Sequence, residues 1–172
     1  MAEPLTMAMP DLQLGLSPAQ PLVRFNLRCR EADVAACSEA LRLDLPTRPC
    51  TSAENGGRSA LWLGPDEWLI LTSDQDDPSS HLTATMGDRF FSWVDIRARQ
   101  VGLVLTGPES ARRLNTGCPL DLDLKAFPIG MCTRTVFAKA EIVLWRREVQ
   151  SFHIEVWRSF APYLKGMLAA AG

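Results

Sequence analysis

Alternation of hydrophobic and polar positions predicts a series of β-strands along this chain. In Phe152–Trp157, for example, Phe152, Ile154 and Val156 fall on one face of a strand and the polar residues fall on the other. Gly64-Pro65-Asp66-Glu67 predicts a tight turn between two such segments, because proline presets the backbone angle that a turn needs. The predicted strands are Leu22–Leu27, Ala60–Leu63, Trp68–Thr72, Phe91–Ile96, Val101–Leu105, Arg134–Ala138, Glu141–Arg146 and Phe152–Trp157.

Apolar residues at helical spacing predict helices between and after these strands. One helix covers Asp33–Leu41, and a second is capped by Ser79 or Ser80. A third opens at Pro108-Glu109 and stops at Gly117, and a closing helix begins at Ser159. The predicted apolar faces are Val34, Cys37 and Leu41; Leu82, Met86 and Phe90; and Phe160, Tyr163, Leu164, Met167 and Leu168.

The order of these elements predicts an α+β fold. Two successive ferredoxin-like β-α-β units are expected, with antiparallel sheets and helices packed on them. Residues 21–172 are interpreted as a single folded domain of two similar lobes, about 21–97 and 98–172.

Residues 1–20 are interpreted as an extended N-terminal arm. Prolines break each apolar run there and Glu3 stands where a signal peptide carries basic residues, so neither a signal peptide nor a membrane anchor is predicted. No later segment reaches the roughly 18 apolar residues of a membrane helix. Leu12, Leu14 and Leu16 are either disordered or ordered against a partner.

Composition narrows the classes of function. The chain has 172 residues, of which 47% are hydrophobic, and a net charge of −2, so it can bury a core but offers no basic field to nucleic acid or a membrane. No CxxC motif occurs and the two histidines stand far apart, which favours reduced thiols in the cytoplasm over a zinc site or disulfides. The five cysteines are Cys29, Cys37, Cys50, Cys118 and Cys132.

Catalytic motifs are missing from the sequence. It lacks a GxGxxG loop, a phosphate-binding loop and a GxSxG elbow. Cys132 stands near Arg134, which could lower the thiol pKa, but a packed thiol is expected beside Met131. The carboxylate pairs Asp66-Glu67 and Asp121/Asp123 are expected to cap turns or face solvent. No catalytic, cofactor-binding or metal site is therefore predicted.

Two tryptophans fall on strand faces that otherwise carry charge. Trp157 shares its face with His153 and Glu155, and Trp145 shares its face with Glu141. Either the chain's own helices or arm cover them, or they contact a partner, since tryptophan and arginine are enriched at protein interfaces. The predicted interface residues are Trp145, Trp157, Arg158 and Arg134.

Three tracts resemble the gamma subunit of heterotetrameric sarcosine oxidase. They are LWLGPDEWLIL, VDIRARQVGLVLTGPESARRLNTGCPLDL and FPIGMCTRT with FHIEVWRSF, and together they span Leu61–Leu168. The resemblance implies a fold similar to the aminomethyltransferase/folate-binding family. It also implies a place in a complex that oxidatively demethylates sarcosine to glycine, with tetrahydrofolate as the one-carbon acceptor and oxygen reduced to peroxide.

The resemblance further implies alpha, beta and delta subunits as partners. FAD, FMN, NAD and tetrahydrofolate would belong to the larger partner subunits and zinc to a small one, with no cofactor in this chain. The implied role is that of a non-catalytic accessory subunit. The KGCYxGQE signature of stand-alone folate-binding relatives is missing.

Two alternatives remain open. One is a free-standing, folate-dependent enzyme similar to aminomethyltransferases, in which Asp66, Glu67 or Asp95 could meet the pterin ring. The other is the equivalent subunit of a complex that acts on a different N-methyl amino acid.

Overall fold

Two five-stranded antiparallel sheets form the framework of the computed structural model, which describes residues 15–20, 22–73 and 75–171. The strands are β1 (Leu16–Pro18), β2 (Leu22–Cys29), β3 (Ser52–Asn55), β4 (Arg58–Gly64), β5 (Glu67–Ser73), β6 (Phe91–Asp95), β7 (Gln100–Thr106), β8 (Cys132–Phe137), β9 (Ala140–Glu148) and β10 (Ser151–Trp157). The helices are α1 (Val34–Leu41), α2 (Ser79–Met86), α3 (Ser110–Asn115) and α4 (Ala161–Ala170).

Each sheet belongs to a unit with the same strand order. The first sheet runs β3-β4-β5-β2-β6 and the second runs β8-β9-β10-β7-β1, with all neighbours antiparallel. In both units a central strand is followed by a helix, a three-stranded meander and a second helix. The α+β fold with ferredoxin-like units and antiparallel sheets is thereby confirmed.

The last strand of the second unit comes from the N-terminal side of the chain. β1 pairs with β7 in the register Leu16↔Leu105, so Leu16–Pro18 is an edge strand of the second sheet. The segment predicted to end an extended N-terminal arm thus pairs with this chain's own second sheet. Leu12 and Leu14 lie outside the described residues.

The sheets pack against each other through their inner faces, and the helices cover the outer faces. In β2, Val23, Phe25 and Leu27 join the core beneath α1 and α2, whereas Arg24 faces the second sheet. A separate core lies between the sheets, and it contains Leu61, Leu69, Leu71, Ile96, Cys132, Val143 and Trp145. The second outer core, beneath α3 and α4, includes Leu114, Ile154, Leu164 and Leu168. The molecule is therefore layered as helix, sheet, sheet and helix.

Several details of the helices differ from the sequence prediction. α2 ends at Met86, so Phe90 lies beyond it and is 73% exposed. The residue preceding α2 is Pro78, and Asp77 accepts a hydrogen bond from the Ser79 backbone N–H at 2.9 Å. Phe160 precedes α4 in a short 3₁₀ turn and is partly exposed. None of the described helices combines the length and hydropathy that crossing a membrane requires.

Candidate functional site

Trp145 lies between the two sheets. It is 2% exposed and packs with leucines of β4 and β5, because its face of β9 points toward the first sheet. The Arg147 guanidinium lies 4.5 Å from the indole ring centre on the other side. The chain's own first sheet therefore covers this side chain, which counts against the predicted contact of Trp145 with a partner.

Arg134 joins the same two sheets at their surface. Its Nη2 donates to Glu67 Oε1 at 2.8 Å, and the same oxygen accepts from Asn26 Nδ2 at 2.8 Å. Burial raises the pKa of Glu67, but the hydrogen bonds from Arg134 and Asn26 outweigh it and hold the pKa below its ordinary value. Arg134 thus links β8 to β5 while its side chain stays 40% exposed, and its contact with a partner stays a prediction.

Arg158 holds the segment that connects the two lobes. Its backbone N–H donates to the Arg99 carbonyl at 2.8 Å, and its guanidinium donates to the carbonyls of Ala98 and Arg97. These bonds satisfy backbone acceptors of the connection between β6 and β7. The side chain is exposed nonetheless, so its predicted contact with a partner remains a prediction.

Trp157 differs from Trp145 because it is 42% exposed. It lies at the end of β10, on the inner face but beyond the part that the first sheet covers. The Arg99 guanidinium lies 5.1 Å from its ring centre. Of the two predicted interface tryptophans, Trp157 is the one that the isolated chain leaves accessible.

A buried ionic network crosses between the sheets. Arg24 Nε of β2 donates to Glu155 Oε2 of β10 at 2.6 Å, and Glu155 Oε1 lies 2.7 Å from His153 Nε2. All three side chains are at least nine-tenths buried. Burial raises the pKa of Glu155, but the hydrogen bonds from His153 and Arg24 hold it below its ordinary value, so the carboxylate is ionised.

The sequence pattern placed His153 and Glu155 correctly on the face of Trp157 but did not reveal this network. Its third member, Arg24, lies on a strand of the other lobe. The alternation in Leu22–Leu27 does put Arg24 opposite Val23 and Phe25, and this was the available signal. The sequence pattern does not show that the side of β2 carrying Arg24 packs against β10 of the second sheet.

A cleft of about 750 Å³ lies between the lobes beside this network. Its two arginines and its glutamate are already engaged in ion pairs. Arg147 donates to Glu54 at 2.7 Å, and Arg58 binds both carboxylate oxygens of Asp76 at 2.5 and 2.6 Å. A general base must be free to accept a proton from a substrate. Because these carboxylates are bound by arginines, they stabilise the structure and are not placed to act as bases.

The thiols of Cys132 and Cys37 are not activated for nucleophilic chemistry, whereas a hydrogen bond with Cys37 lowers the pKa of the buried Cys29 thiol. Burial raises the pKa of Cys132 to about 12, because its sulfur lies in the inter-sheet core. Arg134 is not among the groups that shift this pKa, and Cys132 is a packed thiol, as the sequence predicts. Cys37 is also fully buried, and its Sγ lies 3.5 Å from Met86 Sδ. Within the described residues, no cluster of three or more histidine, cysteine or acidic side chains could hold a metal ion.

The carboxylates considered for a pterin ring are each paired with an arginine. Asp66 lies 2.6 Å from Arg28, and Asp95 lies 2.5 Å from Arg97. Glu67 is held by Arg134, as described above. These three acids therefore stabilise turns and strand ends, and the structure does not bring them together around one cavity.

Comparison with known families and sequences gives a consistent match. The model of the family described as "Sarcosine oxidase, gamma subunit family" matches residues 28–172. Sarcosine oxidase subunit gamma from Corynebacterium sp. (strain P-1) is 33% identical over 130 residues, which cover 75% of this chain and 64% of that protein. The subunit from Arthrobacter sp. is 32% identical over 121 residues, covering 70% and 60%. The chain thus spans less than two thirds of these relatives.

Solved structures give the same picture. Heterotetrameric sarcosine oxidase from Corynebacterium sp. U-96, in complex with pyrrole 2-carboxylate, contains a chain that superposes with a TM-score of 0.86 and 28% identity. The match covers 92% of this chain and 83% of that one. Aminomethyltransferase T of the glycine cleavage system from Bartonella henselae superposes with a TM-score of 0.68, 14% identity and coverage of 90% and 45%, which is a likeness of fold.

Proposed function

This chain belongs to the sarcosine oxidase gamma subunit family, and we propose that it is a non-catalytic accessory subunit of a heterotetrameric sarcosine oxidase. The complex would oxidatively demethylate sarcosine to glycine with tetrahydrofolate as the one-carbon acceptor. The observation that carries the proposal is the superposition of 92% of the chain on a chain of a heterotetrameric sarcosine oxidase.

The chemistry of the side chains supports an accessory role. Ionisable groups between the lobes pair with each other, as in Arg24 with Glu155 and Arg147 with Glu54. Such pairs fix one arrangement of the two lobes and leave none of their own carboxylates free to act as a base. These paired groups therefore stabilise the chain's own fold, as expected for an accessory subunit.

The partners in this proposal are alpha, beta and delta subunits. FAD, FMN, NAD and tetrahydrofolate would bind to the larger of these subunits, where the chemistry takes place. The five cysteines of this chain are free, as expected for a protein that works in the reducing cytoplasm.

A free-standing folate-dependent enzyme is the second candidate. Its support is the likeness of fold to aminomethyltransferase T and the presence of an inter-lobe cleft. The pairing of Asp66, Glu67 and Asp95 with arginines counts against it. Calorimetry of the isolated chain with tetrahydrofolate is expected to show no saturable heat, whereas binding in the micromolar range would favour this candidate.

Co-expression tests the accessory role directly. The tagged chain is expressed with the other subunits of the oxidase from its own host and purified through the tag. The chain is expected to retain the flavin-bearing subunits at equal stoichiometry, and the complex to oxidise sarcosine in preference to other N-methyl amino acids. The same chain expressed alone should be colourless. A near-stoichiometric flavin absorbance on the desalted single chain would contradict the proposal.

A further inference from the structure

An apolar groove that none of the described residues covers lies at one end of the inner face of the second sheet. Val136 of β8 stands opposite Glu141 of β9, and Trp157 of β10 follows directly after the strand residue that pairs with Ile142. Val136 is 43% exposed and Trp157 is 42% exposed, because the first sheet does not extend over this end. Phe160, 39% exposed, closes the groove from the 3₁₀ turn before α4.

The groove, here called the Trp157 groove, is lined by Lys139, Glu141, Trp157 and Phe160. Its volume is about 240 Å³, enough for one large apolar side chain but not for a cofactor. The two aromatic walls, Trp157 and Phe160, are exposed to solvent. Trp145, which lies on the same face of the sheet, is buried. Interface hot spots are enriched in tryptophan and arginine and lie in pockets, and the Trp157 groove has this composition.

The rim of the groove is positively charged. Arg99 lies over the Trp157 ring at 5.1 Å, Lys139 forms one wall, and Arg158 adjoins Trp157 in the chain. Within the described part of the chain, none of these three cations has a carboxylate within 4.0 Å. Glu141, the one acid in the lining, lies 3.6 Å from Arg134.

We infer that the Trp157 groove docks an acidic segment of a partner subunit, with one apolar or aromatic side chain of that segment entering the groove. The inference rests on the proposed accessory function and names the surface that such a function would use. Arg99 and Lys139 beside the apolar pocket, with the Arg158 guanidinium held nearby on backbone carbonyls, complement a partner of negative charge. Such complementarity speeds the encounter and fixes its orientation. A two-fold contact between copies of this chain is disfavoured, because it would bring the same cations face to face.

The first test removes the aromatic walls. Trp157→Ala with Phe160→Ala, made in the tagged full chain, is compared with Phe90→Ala for capture of the co-expressed flavin-bearing subunits. Phe90 is a matched control, since it is an exposed aromatic residue on the first lobe with the Arg30 guanidinium 5.4 Å from its ring. Loss of a buried interface tryptophan commonly weakens binding by about thirtyfold or more. We expect that loss for the groove variant and wild-type capture for Phe90→Ala.

The second test reverses the charge of the rim and does not depend on the aromatic variant folding well. Lys139→Glu is expected to weaken capture, more strongly at low salt than at high salt because screening removes the effect. Glu141→Gln removes a negative charge from the lining and is expected to preserve or strengthen capture. The opposite pattern would assign a basic partner and overturn the inference.

The outcomes separate the groove from the accessory function. If the wild-type chain captures no flavin-bearing subunit, the proposed function fails. If the wild type captures them and both groove variants capture them equally well, the function stands and the groove inference is wrong. If the free wild-type chain is a dimer that the groove variants dissociate, the groove binds a second copy and the inference is also wrong.

Discussion

The first lobe completes its sheet with β6, the strand that follows its second helix, whereas the second lobe completes its sheet with β1 from the other end of the chain. The strand order is otherwise the same in both. The chain consequently passes between the lobes twice, once from β1 to β2 and once from β6 to β7. A cut in the second connection alone would leave the second lobe without its edge strand, so the two lobes are not separable pieces.

The lobes also differ in how their inner faces are used. The first sheet is buried against the second along β4 and β5, with Leu61, Leu69 and Leu71 each almost fully buried. The inner face of the second sheet continues past this contact to Trp157 and Val136, which stay exposed. The inward-facing leucines of β4 and β5 are therefore used inside the molecule, whereas β8 and β10 of the second sheet leave Val136 and Trp157 available to a partner.

Breaking the ion pair between the lobes should have the largest effect on stability. Arg24→Met leaves Glu155 buried without its guanidinium partner, and removal of one member of a buried pair costs about 3–5 kcal/mol. Replacing both residues by methionine should cost clearly less, because no charge is stranded. Urea unfolding measures the difference. Arg28→Met, which breaks an exposed pair with Asp66, should change the free energy of unfolding little. A single variant as mild as the double variant would mean that the pair does not hold the lobes together.

The same pair makes stability sensitive to acid. The pKa of Glu155 in the folded state lies below its unfolded value of about 4.3. Its contribution is therefore complete above the unfolded pKa and is lost as pH falls through the folded pKa. Glu155→Gln should flatten the fall of the unfolding free energy below that unfolded value, in urea titrations at a series of pH values. An unchanged slope would show that other carboxylates control the acid response.

Gly102 should tolerate a methyl group poorly because it lies where β1, β2 and β10 meet. A Cβ there would lie 2.6 Å from Arg24 Nη2, 2.8 Å from Glu155 Oε1 and 2.9 Å from Ala19 Cβ. Gly102→Ala should destabilise by about 1–3 kcal/mol through overpacking, seen as a lower urea midpoint.

Gly166 provides the matched control for this substitution. It lies in α4, and a Cβ at this position meets no atom within 4 Å. Gly166→Ala should therefore stabilise by up to about 1 kcal/mol, since alanine favours helices. Effects of the same sign at both glycines would contradict the tight junction at Gly102.

Removal of residues 1–18 should have the most local effect. The Thr106 backbone N–H donates to the Gly15 carbonyl at 3.0 Å, and truncation frees it. Hydrogen exchange should become faster at Thr106 and remain slow at Ile96, whose N–H donates to the Arg24 carbonyl of the first lobe. Equal acceleration in both lobes would show that β1 supports the whole molecule and not the second sheet alone.

The sequence predicted the strands that alternate regularly and missed the two that do not. Ser52–Asn55 has Ala53 as its single apolar residue and Leu16–Pro18 ends in proline, so neither β3 nor β1 shows a clear two-residue period. β1 is recognisable as a strand through its pairing with β7. Because β7 is far from β1 in the sequence, this pairing leaves no recognisable pattern among the residues around β1.

The candidate interface shows a second limit of sequence reasoning. Alternation assigned Trp145 and Trp157 to charged strand faces, and both lie on the inner face of the second sheet. Whether such a face meets another protein or another lobe depends on the packing of the two sheets, which strand parity does not describe. Tryptophan and arginine are enriched at interfaces of both kinds, and in this structure Trp145 and Arg134 contact the other lobe of the same chain.

The position of β1 has a consequence for synthesis on the ribosome. Leu16–Pro18 is made before every other described strand, yet its partner in β7 emerges after the whole first lobe is complete. Domains fold as units from the N-terminal side, so the first lobe can form while this segment still waits. β1 therefore stays unpaired until β7 emerges, and during that interval it is itself open to competing strands from other chains.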